Sequence, residues 1–186
     1  MDKQTEERNM TNINPNPDQN PYAPFPSDSD LKRRARQVQD NMSLMQNYFD
    51  ALFNKDLTRI LDVLDKNVEW LIVPTGDILK GKDEIGKLAL NHWVASPDRI
   101  KKLVNLFASE DSACLEYITG GTLTKQADFP SIKIPPTGKK YEFMCCFVFH
   151  ITNGKIDRVH EYFDMETVKR QLNVAGSADT SVRGSL

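Results

Sequence analysis

The chain has 186 residues, a formal net charge of −2 and 27% charged side chains, a balance that gives no electrostatic pull toward nucleic acid or anionic membrane. Hydrophobic residues make up 39%, enough for a buried core, and no apolar run reaches the length of a membrane span. The three cysteines, Cys114, Cys145 and Cys146, cannot form a disulfide framework and read as reduced thiols of a cytoplasmic protein.

Residues 1–28 read as a disordered tail. The polar start "MDKQTEERNM" lacks the apolar core of a secretory signal, and five of the ten prolines fall before Ser27. Ser29 or Asp30 can cap a helix. From there Leu31, Ala35, Val38, Met42, Met45, Phe49 and Leu52 recur at spacings of four and three, the stripe of one long helix. The basic cluster Lys32-Arg33-Arg34 with Arg36 forms its solvated face. A second, short helix follows "FNKD", with Leu57, Ile60, Leu61 and Leu64 inward. "VEWLIVP" is a strand that ends at Pro74-Thr75-Gly76, and "GKDEIGKLALNHW" is a third helix.

The period then becomes strand-like. "IKKLVNLFAS" and "SACLEYITGGTLT" join across Glu110-Asp111, and a stiff, proline-rich loop, "KQADFPSIKIPPTGKK", follows. "YEFMCCFVFHI" and "KIDRVHEYF" pair across Asn153-Gly154, a strong hairpin signal. "DMETVKRQLNV" is a last short helix, and residues 176–186 are a flexible polar tail. The order predicts one α+β domain over 29–175, with helices on one face of a curved, antiparallel-rich sheet.

Element order and several stretches together resemble the nuclear transport factor 2-like superfamily, SnoaL-like (polyketide cyclase-like) branch. The stretches are "YFDALFNKDLTRILDVL", "LKGKDEIGKL", "GGTLTK" with "IPPTGKKYEF", and "FHITNGKIDRVHEYFDMETVKRQL", within residues 40–173. The resemblance implies a cone formed by a bent sheet around the long N-terminal helix. It also implies cofactor-free acid/base chemistry on a small metabolite. The ketosteroid isomerase base would fall near Ile72, where "WLIVP" has no carboxylate. Tyr48 falls where those enzymes carry an oxyanion-hole tyrosine. The Arg-x-Asp pair of the epoxide hydrolases has no counterpart in "EYITGG". The helix-three histidine of the phenazine-type proteins would fall at Leu88, one turn before His92. Glu161 matches the acid/base carboxylate that cyclases and phenazine-type proteins carry on the last strand.

The hairpin allows a separate test of Glu161. With a two-residue turn at Asn153-Gly154 and regular pairing, Cys146 opposes Glu161, Val148 opposes Val159 and Met144 opposes Phe163. Glu161 then sits on an apolar face that raises its pKa and suits it to proton transfer. A bulge near residues 157–159 would exchange the two faces. The expected catalytic residue is Glu161. The expected pocket residues are Tyr48, Trp70, His92, Met144, Cys146 and Phe163. The plainer readings are a solvated or ion-paired Glu161 and a packing or interface role for His160. Three scattered histidines give no metal-ligand spacing, and neither a metal nor a cofactor is expected. The expected partners are a small apolar metabolite and a second copy of the chain through the sheet, with no nucleic acid or membrane. The alternative to an enzyme is a non-catalytic ligand-binding or dimerisation module of the same fold.

Overall fold

The computed structural model describes residues 25–174, so the expected tails lie outside the described residues except at 25–28. Helix α1 (Asp28–Phe53) starts slightly earlier than the caps at Ser29 or Asp30 imply. Ser27 is the cap: its hydroxyl accepts from the Asp30 amide at 3.2 Å, which leaves Asp28 and Asp30 in the first turn against the positive helix end. No residue of α1 before Asn41 is buried. The buried face is Asn41, Met45, Tyr48 and Ala51, slightly rotated from the predicted stripe. Asn41 belongs there because its amide donates to the carbonyls of Ser109 and Glu110, at 2.9 and 3.0 Å, and so ties the helix to a strand turn.

Helix α2 (Leu57–Val63) is capped by Asp56, whose carboxylate accepts from the Arg59 amide at 3.1 Å. It runs without a spacer into β1 (Leu64–Ile72), so Leu64 heads a strand instead of closing a helix. After the turn at Pro74–Gly76 the chain returns as β2 (Asp77–Lys80), a strand too short to show a period of its own. Helix α3 (Gly81–Ala95), β3 (Ile100–Ala108) and β4 (Ser112–Thr122) follow. The stiff loop contains a minimal ladder, β5 (Ala127–Asp128) with β6 (Lys133–Ile134). The chain ends in β7 (Lys140–Thr152), β8 (Lys155–Phe163) and α4 (Met165–Leu172), whose cap Asp164 accepts from the amides of Glu166 and Thr167.

Six strands form one sheet in the order β2-β1-β8-β7-β4-β3, with only β1 and β8 parallel. This is the expected α+β architecture. Register shifts break the ladder at Leu64/Glu69, Leu103/Asn105 and His150/Ile151. Each bulge adds bend and twist, and together they curl the sheet so that its concave face covers Met45, Tyr48 and Ala51 of α1. The core joins these to Leu115, Tyr117, Phe147, Phe149, Ile156 and Val159, the inward residues of β4, β7 and β8.

Gly120 marks the tightest approach in the sheet. A β-carbon there would lie 2.6 Å from the Tyr141 carbonyl oxygen on the neighbouring strand, and backbone cannot swing away. Gly120→Ala is expected to destabilise the domain by about 1–3 kcal/mol, the usual cost of overpacking, without change in the mid-chain helices. Urea denaturation of the two proteins measures it; equal midpoints would show that the strands part freely there.

Candidate functional site

The hairpin starts as the sequence implies, with Thr152 opposite Lys155 and Ile151 opposite Ile156. It then slips by one residue. Asp157 is unpaired, and His150 opposes Arg158, Phe149 opposes Val159 and Phe147 opposes Glu161. His150 Nδ1 and the Asp157 carboxylate lie 2.7 Å apart and hold the bulged residue. Burial pushes the Asp157 carboxyl up, but hydrogen bonds from His150 and Thr152 outweigh it and leave the pKa below the ordinary value.

Period-two geometry makes the slip decisive. Glu161 shares its face with Cys145, Phe147, Phe149, Val159 and Phe163. Met144 and Cys146, expected beside it, are on the opposite face, where Met144 is 51% exposed. The apolar setting expected for Glu161 is present: Val159 and Phe163 on β8 are the expected neighbours, while on β7 Cys145, Phe147 and Phe149 stand in place of Met144, Cys146 and Val148.

Glu161 accepts a hydrogen bond from Trp70 Nε1 at 2.9 Å on Oε2, and the Cys145 thiol points at Oε1 from 3.8 Å. Trp70 reaches it from β1, which runs parallel to β8 with Trp70 opposite Val159 and Ile72 opposite Glu161. Among the described residues no lysine or arginine forms an ion pair with Glu161. Burial raises its pKa; the Trp70 bond, the Arg99 charge and Cys145 pull the other way without cancelling the rise.

Two chambers open onto this carboxyl. The larger, about 60 Å³, is lined by Tyr48, Trp70, His92, Trp93, Lys101, Tyr117 and Phe147 among others. The smaller, about 40 Å³, lies between α3, the loop ladder and α4, with Phe129, Tyr141, Phe163, Val168 and Leu172 in its wall. Four of the sequence-expected pocket residues thus meet around Glu161: Tyr48, Trp70, His92 and Phe163.

The polar groups of the larger chamber are strongly perturbed. Burial raises the phenol pKa of Tyr48 and Tyr117 well above the ordinary value, and the charges of Glu161 and Cys145 add to it. Burial lowers His92 to about 3, with Arg99 and Lys101 pushing the same way, so the imidazole is neutral across the physiological range. Its Nε2 is buried without a hydrogen-bond partner among the described residues, and its ring packs on Phe129 at 4.9 Å between centroids. Lys101 falls to about 7 for the same first cause, burial, while its Nζ donates to the Leu52 carbonyl near the end of α1 at 2.9 Å.

Arg99, Lys101, Tyr117 and Phe147 belong to the site but were not read from the sequence. Tyr117 follows from the alternation Ala113, Leu115, Tyr117, Thr119 along β4. Phe147 follows once the bulge is known. Arg99 and Lys101 gave no signal, because "DRIKK" reads as solvated charge at a strand start.

The chain matches the family model described as a SnoaL-like domain over residues 45–159 and belongs to that family. No curated protein sequence matches it. Among solved structures it is similar to a candidate SnoaL-like polyketide cyclase from Jannaschia sp. CCS1, at 12% identity and TM-score 0.65, covering 75% of this chain and 95% of that one. It is also similar to a candidate polyketide cyclase from Xanthomonas campestris pv. campestris, at 20% identity and TM-score 0.61, covering 73% and 98%. A third is a protein of ketosteroid isomerase-like fold from Catenulispora acidiphila in complex with trimethylamine, at 10% identity and TM-score 0.57, covering 71% and 93%. These likenesses establish the nuclear transport factor 2-like fold. No helix of the described residues is long and apolar enough to cross a membrane.

A depressed histidine pKa has a definite sign in stability. Between the ordinary 6.5 and about 3 the unfolded chain binds a proton that folded His92 refuses, so stability falls as pH drops through this window. His92→Phe is expected to remove up to about 1.4 kcal/mol per pH unit of that slope. Denaturant titrations at pH 6.5, 5.5 and 4.5 check it; parallel curves for the two proteins would mean that His92 protonates freely in the fold.

Proposed function

We propose that the protein is a cytoplasmic, cofactor-free acid/base catalyst of the cyclase or isomerase kind, acting on a compact, largely apolar metabolite. Glu161 is the acid/base group. Its carboxylate takes a proton from carbon next to a carbonyl, and the electron pair of that C–H bond forms the enolate. The proton then returns to another carbon in an isomerisation. In an aldol-type closure, the enolate carbon bonds to a second carbonyl carbon, the π pair of that carbonyl moves to its oxygen, and the proton held by Glu161 passes to the new alkoxide. Tyr48, Trp70, His92 and Phe163 line the substrate's path. One observation carries this reading: the carboxyl stands in an apolar cavity, hydrogen-bonded to an indole and ion-paired to no described cation. A structural ion pair would look different, and a solvated carboxylate would not have its pKa raised by burial. The Catenulispora neighbour, solved in complex with trimethylamine, supports small-molecule binding by this fold.

A second reading is a binding module of the same fold that holds a ligand without turning it over. The small volumes of the chambers favour it, since they suit a short molecule better than a fused ring system. Hydrogen–deuterium exchange separates the two. Heptan-4-one in deuterium oxide is expected to exchange its α-protons faster with the protein present, and Glu161→Gln is expected to lower that acceleration by about 10²-fold or more. Binding of the ketone without any acceleration would leave the module reading. Folding of Glu161→Gln should be intact. Because Glu161 has a raised pKa when folded, the wild type loses stability as pH rises from 4.5 through that pKa, and the variant should not.

We also infer a homodimer through the outer face of the sheet. One cross-strand row there reads Ile78, Leu71, His160, Val148, Cys114, Phe107, and the next holds Tyr162, Cys146 and Glu116. Ile78 is 56% exposed and Phe107 55%, an apolar surface that needs a cover. The partner that fits is a second copy: the same face carries Glu116 on β4 and exposed Lys102 on β3, opposite charges that a twofold axis brings together. Sedimentation equilibrium at micromolar concentration should give the mass of two chains, and Val148→Glu should give one. A monomeric wild type would end this proposal.

A further inference from the structure

The two chambers have different walls. They share three residues, His92, Arg99 and Glu161, and all three are polar in an otherwise mostly apolar lining. The boundary that the two chambers share, the waist, is therefore polar.

Two of these side chains have unused hydrogen-bonding capacity. His92 Nε2 is buried and has no partner among the described residues. A buried imidazole nitrogen left unpaired is costly, and the cost is recovered when something in the cavity bonds to it. Arg99 spends only Nε on the protein, donating to Thr119 Oγ1 at 3.0 Å. Its terminal nitrogens have no hydrogen bond or ion pair among the described residues, and Arg99 lines both chambers.

The position of Arg99 is built, not accidental. Asp98 accepts from the amide and hydroxyl of Thr122 at 2.8 and 2.7 Å, and the Arg99 amide donates to the Ser96 carbonyl at 3.1 Å. Ser96 in turn accepts from the Tyr141 hydroxyl at 2.9 Å. The connection from α3 to β3 is thus fixed at several points, and Arg99 is held before any ligand arrives.

We infer that the ligand is an elongated, compact molecule, apolar at both ends, with a carbonyl or enol oxygen near mid-length that bonds to His92 and Arg99 beside Glu161. Each apolar end fills one chamber. A molecule with its oxygen at one end fits worse: with the oxygen at the waist, its whole apolar length must enter a single chamber. With that length spread over both, the waist donors stay unpaired. His92 and Arg99 are therefore specificity-determining residues. This inference rests on the cavity reading proposed above and names the shape of its substrate.

Two isomeric ketones test it. Heptan-4-one carries its oxygen at mid-length and heptan-2-one near one end, at equal size and near-equal hydrophobicity. The chain has two tryptophans, and both line the larger chamber, so their indole N–H signals report binding in a proton–nitrogen NMR spectrum. Heptan-4-one is expected to bind about fivefold more tightly. Arg99→Met and His92→Phe should each bring the two ketones within about twofold, and His92→Gln, which can still donate, should keep part of the preference. Equal affinities in the wild type would overturn the inference without need of any variant. So would failure of both ketones to move either indole signal. A mid-length preference without proton exchange would uphold the waist and sink only the acid/base role of Glu161.

Discussion

One unpaired residue, Asp157, governs the inside of this protein. With regular pairing Glu161 would stand opposite Cys146 and face away from α1; with the bulge it stands opposite Phe147 and faces the cavity. The same slip turns Phe163 inward to the smaller chamber and leaves Tyr162 outside. Its fixation is local and polar: the His150–Asp157 contact sits close to the Asn153-Gly154 turn. A hydrogen bond near the hairpin tip thus sets the polarity of a cavity several residues along the strand.

Around Glu161 the interactions oppose each other in a useful way. Burial disfavours its charge, while Trp70, Cys145 and Arg99 favour it. A carboxyl with only the first influence would stay protonated, and one with only the second would stay ionised. Tyr48 and Tyr117 are held as neutral phenols and His92 as neutral imidazole, so the groups left to carry charge in this region are Arg99, Glu161 and Lys101, the last lowered by burial to about 7.

Much of this could be read from residue order, and the gaps have physical causes. The long helix, the hairpin turn, the β3–β4 turn and the carboxylate on the last strand each carry a local signature. Ser27 escaped notice as a cap because Ser29 and Asp30 offer the same chemistry two and three residues on. β2 has four residues, too few for a period. The facing of Met144 and Cys146 could not be fixed, because the bulge is one residue of slack in the partner strand and β7 itself is apolar on both faces. Arg99 and Lys101 were invisible for a different reason: their side chains are engaged by Thr119 on the neighbouring strand and by the end of α1, partners that a local pattern does not reveal. Ile72 shows the complementary case. It lacks the carboxylate of an isomerase base, yet Glu161 is its direct neighbour across the parallel β1–β8 pair.

Helix α4 is a wall of a particular kind. It has eight residues, and beyond Val168, Leu172 and Met165 in the second apolar cluster it is tied to β7 by one side chain. Gln171 accepts from the Glu142 amide at 2.7 Å and donates to the Glu142 carbonyl at 2.8 Å, as a passing strand would. Two such bonds are worth about 1–3 kcal/mol together, far less than any ladder of the main sheet. Swinging this helix aside would uncover the smaller chamber while the six-stranded sheet stays whole. The backbone amide of Glu142 would then become the clock of that breathing motion, since its proton is released to solvent each time the clip lets go.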